Sequence, residues 1–187
     1  MSNGGLSPRD RGVNAAVVGF FASLWFTWGD VSPSPVAPVL KVGSVLSLVL
    51  LVVGVVMAVR YRRSGSVADD ASARRRYGII VGIEFGAAGV GAVLLARLGH
   101  QQYIPVLICA IVGLHFFPLA PVLRNRILVP LGALLTAVAA AALIVGLTTH
   151  VAPATVTGLG AGTLLLASGV YTVVRRPPHS LHSSSSF

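Results

Sequence analysis

The chain has 187 residues, 55% of them hydrophobic and only 10% charged, against about 25% charged in an ordinary soluble domain. Fourteen basic and five acidic residues cannot cover the surface of a soluble domain of this size. That excludes a soluble globular enzyme and a disordered chain, and the lone Cys109 excludes a disulfide scaffold or a Cys-based zinc cluster. What remains is an all-α, polytopic transmembrane helical bundle whose main partner is the lipid bilayer. The formal net charge of +9 does not point to nucleic acid here, because the basic residues form short clusters between apolar runs, where they orient spans.

Residues 1–12 are polar and Gly-rich and read as a mobile N-terminal segment. The first apolar run, 13–29, closes in Leu24-Trp25-Phe26-Thr27-Trp28, an aromatic anchor of the kind found at a membrane interface. Arg9 and Arg11 ahead of it leave a signal peptide as the alternative. Asp30 and the Ser/Pro-rich stretch after it break the helix. The second span, 38–59, contains VLSLVLLVVGVVMAV, long enough to cross about 30 Å of hydrocarbon. A polar stretch with six arginines and two aspartates, Arg60 to Arg76, precedes the third span, 77–96. A tight turn leads to the fourth, 103–123; Arg124-Asn125-Arg126 separates it from the fifth, 127–149; the sixth is 154–174. These spans make one bundle, 13–174, and residues 175–187 form a polar tail of low complexity.

With six spans and an internal N-terminus, twelve basic residues (Arg9, Arg11, Arg60, Arg62, Arg63, Arg74, Arg75, Arg76, Arg124, Arg126, Arg175 and Arg176) fall inside and two, Lys41 and Arg97, outside. The positive-inside rule then places both termini in the cytoplasm, with the bundle in the inner (plasma) membrane. A five-span arrangement without the first run is the alternative. Gly78, Gly82 and Gly86 on the third span, Gly158 and Gly162 on the sixth, and Ala133, Ala137 and Ala141 on the fifth read as small-residue faces for close helix contact.

Glu84 is the one acidic residue inside a span. A carboxylate there costs several kcal/mol unless it is paired or hydrated. At 100° per residue it lies about 160° from the glycine stripe. If the glycines meet one neighbour, Glu84 meets another, which implies a central third span. His115 lies at a matching depth, about 10–12 Å from the inner ends of adjacent spans, so a Glu84–His115 proton-holding pair is expected. The competing reading has His115 bonded to a carbonyl freed by Pro118. A second polar set, Asp30, His100, Gln101, Gln102, Tyr103 and His150, sits at the outer span ends. Asp30 beside Trp25 and Trp28 would suit the making of a carbocation and its stabilisation by aromatic faces. Phe85, Phe116 and Phe117, with Tyr103, extend a candidate substrate lining. There is no HExxH, Walker loop, GxGxxG before a strand or Gly-x-Ser-x-Gly, and His179 and His182 are too isolated for a metal site. Neither a metal nor another cofactor is expected.

The stretch 82–120, GIEFGAAGVGAVLLARLGHQQYIPVLICAIVGLHFFPLA, resembles a group of small bacterial multi-pass membrane proteins of mostly unknown function, through its intramembrane Glu, its Gln-Tyr-Ile-Pro turn and Gly-Leu-His-Phe-Phe-Pro-Leu-Ala. In size, span count and acidic residues within spans, the chain is also similar to the membrane-bound terpene cyclases of actinobacterial meroterpenoid pathways, which act on prenylated indoles. That likeness implies metal-independent, proton-initiated cyclisation of a lipophilic chain, with Glu84 and Asp30 as its acids. No DxDD or DDxxD motif is present. Three functions stay open at this point: an intramembrane cyclase or isomerase, with Glu84 as acid and His115 as its partner; a small proton-coupled transporter; and a structural subunit in which the two residues clamp helices. Substrate and oligomeric state are not legible.

Overall fold

A computed structural model describes residues 7–30, 35–62, 71–122 and 126–174. Six helices follow in order: α1 Pro8–Gly29, α2 Ala37–Arg60, α3 Ala71–Arg97, α4 Ile104–Val122, α5 Leu128–Thr148 and α6 Pro153–Val174, with a 3-10 turn, Gln101–Tyr103, before α4. All six are long and apolar enough to span a membrane, and no strand occurs among the described residues. The fold is therefore the all-helical, six-span bundle. Residues 1–6 of the expected N-terminal segment, the tail 175–187, and Arg63, Arg124 and Asn125 lie outside the described residues.

α1 begins earlier than the apolar run. Ser7 is its N-cap: the Asp10 amide donates to Ser7 Oγ at 3.1 Å, the Ser7 hydroxyl donates to the Asp10 carboxylate at 2.9 Å, and Pro8 opens the first turn. A capping hydroxyl, a proline with a preset φ and an acid three residues on together start a helix whatever the hydropathy. More than half of the apolar window of α1 is buried, so the five-span alternative omits an integral helix. α3 ends at Gly99, whose φ of +76° belongs to the left-handed region that glycine enters freely. The His100 amide reaches back to the Leu95 carbonyl at 2.8 Å, closing the helix in the manner of a Schellman motif. The turn is short, so α4 folds back along α3.

Adjacent helices run antiparallel. Phe26 of α1 meets Gly43 of α2, while Gly12 at the other end of α1 meets Ala58. α6 also lies along α1: Gly158 touches Gly29, Phe26 touches Gly162, and the Asn14 amide donates to Thr172 Oγ1 at 3.3 Å. The Thr155 hydroxyl adds a bond to the Gly29 carbonyl at 3.2 Å. α5 packs on α6 through Val138 against Gly160, and on α4 through Gly132 against Gly113. The order across the bundle is thus α2, α1, α6, α5, α4, α3, with α6 also reaching α2 and α4. The core contains Ala22, Trp25, Cys109, Leu135, Ala139, Ala161 and Leu165. The outer surface stays apolar: Val39, Val42, Val45, Val49, Val52, Val56 and Val59 of α2 are exposed, as expected of a face covered by lipid.

Two expectations about packing are overturned. Of the three small-residue faces, only Gly158 and Gly162 form a helix contact. Nothing lies within 4 Å of a Cβ built at Gly78, Gly82 or Gly86, and Ala133, Ala137 and Ala141 are exposed. α3 is peripheral, with no residue of its span, Arg75–Arg97, buried, and α6 takes the central place. Small residues permit close approach, but they do not choose which neighbour arrives. The close contacts instead use Gly12 with Gly54, Gly29 with Gly158, and Gly113 with Gly132. Gly82→Leu is therefore expected to keep thermal stability in bilayer discs within about 0.5 kcal/mol of wild type. A markedly lower unfolding temperature would show that something covers the stripe.

Candidate functional site

α3 touches the bundle along one face. Ile80, Val81, Glu84, Ala88, Gly91, Ala92 and Leu95 are half-buried, whereas Ile79, Ile83, Phe85, Val90, Val93 and Leu94 are exposed. The half-buried set repeats at three- and four-residue spacing, the period of one helix face. Leu107 of α4 fills the space that a side chain at Gly91 would take. Seven residues from Gly91 on α3, and eight from Leu107 on α4, Glu84 and His115 meet: His115 Nδ1 lies 3.0 Å from Glu84 Oε1. Their side chains are 12% (Glu84) and 14% (His115) exposed. The approach is side-on, because the ring N–H does not align with the carboxylate closely enough for a straight hydrogen bond. The His115 ring also lies 4.7 Å from that of Phe116, tilted by 34°.

The expected pair thus forms in preference to a bond from His115 Nδ1 to a carbonyl freed by Pro118. Chemically it is a carboxyl and an imidazole in low dielectric. Such a pair can hold a proton inside the bilayer and deliver it to a third group.

The other predicted site residues go elsewhere. Phe85 and Phe117 are exposed on the outer surface, at 61% and 39%. Phe85 follows Glu84, and one residue of helix turns it about 100° away from the α3–α4 contact. Phe116 packs towards Gly132 of α5. The Tyr103 hydroxyl donates to the Gly146 carbonyl at 3.1 Å, tying the turn to α5. Trp25 is buried, and stacks on Trp28 with ring centres 5.6 Å apart, within the core that α1 shares with α6. Asp30 terminates α1, its amide donating to the Thr27 carbonyl at 3.2 Å. Glu84, His115 and Phe116 are therefore together, whereas Asp30, Trp25 and Trp28 form a separate group at the end of α1. His100, Gln101, Gln102 and His150 are exposed. Among the described residues no group of three or more His, Cys, Asp or Glu side chains could hold a metal ion.

Gly91 and Leu107 were missed in the sequence. The signal was present, since Gly91 follows Glu84 by two helical turns and so shares its face.

Comparison with protein-family models, with curated proteins and with solved structures finds no match to this chain. The candidate site therefore stands on its own geometry.

Proposed function

We propose that the chain is an integral membrane enzyme whose Glu84–His115 pair is an intramembrane acid for a lipophilic, prenylated substrate, with Glu84 giving a proton to an alkene or epoxide to start isomerisation or cyclisation. The observation that carries this reading is the 3.0 Å contact between the Glu84 carboxylate, on the peripheral helix α3, and the His115 imidazole on α4. Each side chain is mostly shielded, but α3 borders the bilayer directly, so an apolar substrate needs no aqueous route. His115 orients the Glu84 carboxyl, and after transfer the Glu84 carboxylate is reprotonated by the proton that the cationic intermediate loses as the product alkene forms, or by solvent. Solvent exclusion at this depth protects a cationic intermediate from quenching. The reading is tested by incubating the purified chain in bilayer discs with prenylated candidates in D2O. A product carrying solvent-derived deuterium, formed by wild type and not by Glu84→Gln protein, supports it. Product formed equally by both refutes it.

A helix clamp is the second reading, and one observation favours it: among the described residues α3 is held chiefly by α4, with the adjoining turn, and Glu84–His115 bridges that contact. The two readings separate in the substitutions discussed below.

We further infer that both termini face the cytoplasm. The antiparallel packing brings Arg9, Arg11, Arg60, Arg62, Arg75, Arg76 and Arg126 to one end of the bundle and Lys41 and Arg97 to the other, and the arginine-rich end belongs inside by the positive-inside rule. Single cysteines at Ser66 and His182, in a Cys109→Ala background, are expected to resist an impermeant thiol reagent in intact cells and to react after permeabilisation. Labelling in intact cells would reverse the orientation.

A further inference from the structure

We propose that the lipophile acted on at the Glu84–His115 pair carries a hydroxyl group close to its alkene, and that the main-chain carbonyl of Leu114 accepts a hydrogen bond from it. The inference rests on the acid reading above and names the class of its substrate, an allylic or homoallylic alcohol. Leu107, Ile111, Leu114, Pro118 and Pro121 follow one another on α4 at steps of four and three residues and so form one stripe of that helix. α3 covers only the outer part of the stripe. Leu107 and Ile111 are half-buried, Leu107 against Gly91, whereas Leu114 is 56% exposed and both prolines are exposed. The stripe is therefore open from the level of Glu84 and His115 inward.

Proline decides what this open surface offers. α4 continues through Pro118, and proline has no N–H to return to the carbonyl four residues earlier, that of Leu114. A helical carbonyl points along the axis towards the residue four positions on, so the freed oxygen lies between Leu114 and Pro118, on the exposed face. Leu114 is eight residues from the end of α4 at Val122, about 12 Å into the hydrocarbon, where a carbonyl without a donor is strongly unfavourable. Hydroxyl side chains, which often serve such carbonyls, are absent: α4 has no Ser or Thr, nor has α3 from Tyr77 to Arg97. Among the described residues no side chain donates to the Leu114 carbonyl. Pro121 frees the Phe117 carbonyl in the same way, but three residues nearer the inner surface, where headgroups and water supply donors. The Leu114 carbonyl also adjoins the acid. Leu114 precedes His115, whose Nδ1 is 3.0 Å from Glu84 Oε1, so acceptor and proton source share one helical turn, about 5 Å of depth. A hydroxyl held by Leu114 then leaves only a few bonds to the alkene that takes the proton.

The test uses the full chain in neutral detergent, titrated with farnesol or with farnesyl methyl ether, which lacks the donor, and counts retained ligand by native mass spectrometry. Wild type is expected to retain farnesol about fivefold more tightly, the net worth of one hydrogen bond. Pro118→Ala restores an N–H to the Leu114 carbonyl and keeps the surface apolar. It is expected to bring farnesol down to the level of the ether while the ether changes less than about twofold. Pro121→Ala, which occupies the Phe117 carbonyl instead, is expected to keep the preference. If Pro118→Ala protein loses its helical circular dichroism, Pro118→Ser replaces it, offering the same carbonyl both an N–H and a hydroxyl. Equal retention of both ligands by wild type overturns the proposal. So does a preference that survives at position 118 or disappears in the Pro121→Ala variant, and so does an equal loss of both ligands in the Pro118→Ala variant. Retention is read without turnover: a chain that prefers farnesol yet forms no deuterated product keeps this site and loses the acid reading, and the reverse result does the opposite.

Discussion

Glu84→Gln protein is expected to fold like wild type, retain substrate and lose turnover by at least about 10²-fold, the scale of removing a general acid. Glutamine keeps the length and planarity of the side chain and still offers an oxygen to His115, so the α3–α4 contact survives. It has no proton to transfer to carbon. Glu84→Leu changes a different quantity. It removes the polar group that faces His115 Nδ1 at 3.0 Å in the native chain and leaves a largely shielded imidazole against an apolar side chain, at a cost of about 1–3 kcal/mol for an uncompensated buried polar group. α3 has no buried residue in its span to offset that loss, so it should loosen from α4. Product formation in D2O and thermal unfolding by circular dichroism, measured on both variants, separate acid from clamp. Turnover of the Gln variant near the wild-type rate, with an unstable Leu variant, would assign the pair to the scaffold. The search for an acid would then move to Asp30, beyond the stacked Trp25 and Trp28.

Gly158→Ala is expected to destabilise the bundle by about 1–3 kcal/mol, and Gly158→Leu by more, because overpacking a tight contact forces its backbones apart. A Cβ at this position would lie 2.5 Å from the Gly29 Cα and 2.7 Å from the Trp25 carbonyl oxygen. Both obstacles are backbone, so no rotamer change relieves the clash and α1 must move away from α6. That movement also strains the bond from the Thr155 hydroxyl to the Gly29 carbonyl and disturbs the core around Trp25 and Ala161. Thermal unfolding in bilayer discs measures the effect, with Gly82→Leu as the comparison of equal chemistry on an open face. Equal unfolding temperatures for Gly158→Leu and wild type would mean that the α1–α6 contact is looser than described.

The amino-acid sequence alone determined that this is a helical membrane bundle and where its apolar runs lie, while six spans rather than five was decided by the structure. Hydrocarbon leaves an isolated span no choice but a helix of sufficient length, so runs such as 38–59 are legible one at a time. Even the early start of α1 is written locally, in Ser7, Pro8 and Asp10. The meeting of Glu84 and His115 was legible because a short turn confines α4 to lie along α3, and depth along each helix then follows from counting residues. Which face of each helix is covered was not legible. Gly78, Gly82 and Gly86 have the same spacing as Gly158 and Gly162, yet the first set is open and the second lies against Gly29 and Phe26. Nor could Phe85 and Phe117 be told from lining residues until α3 was found at the edge of the bundle. In water, polarity marks the outside of a helix. In a bilayer, lipid and protein interior are equally apolar, so valine on α2 and leucine in the core carry the same signal. The order α2, α1, α6, α5, α4, α3 depends on shape complementarity between distant segments, and only the tertiary structure decides it.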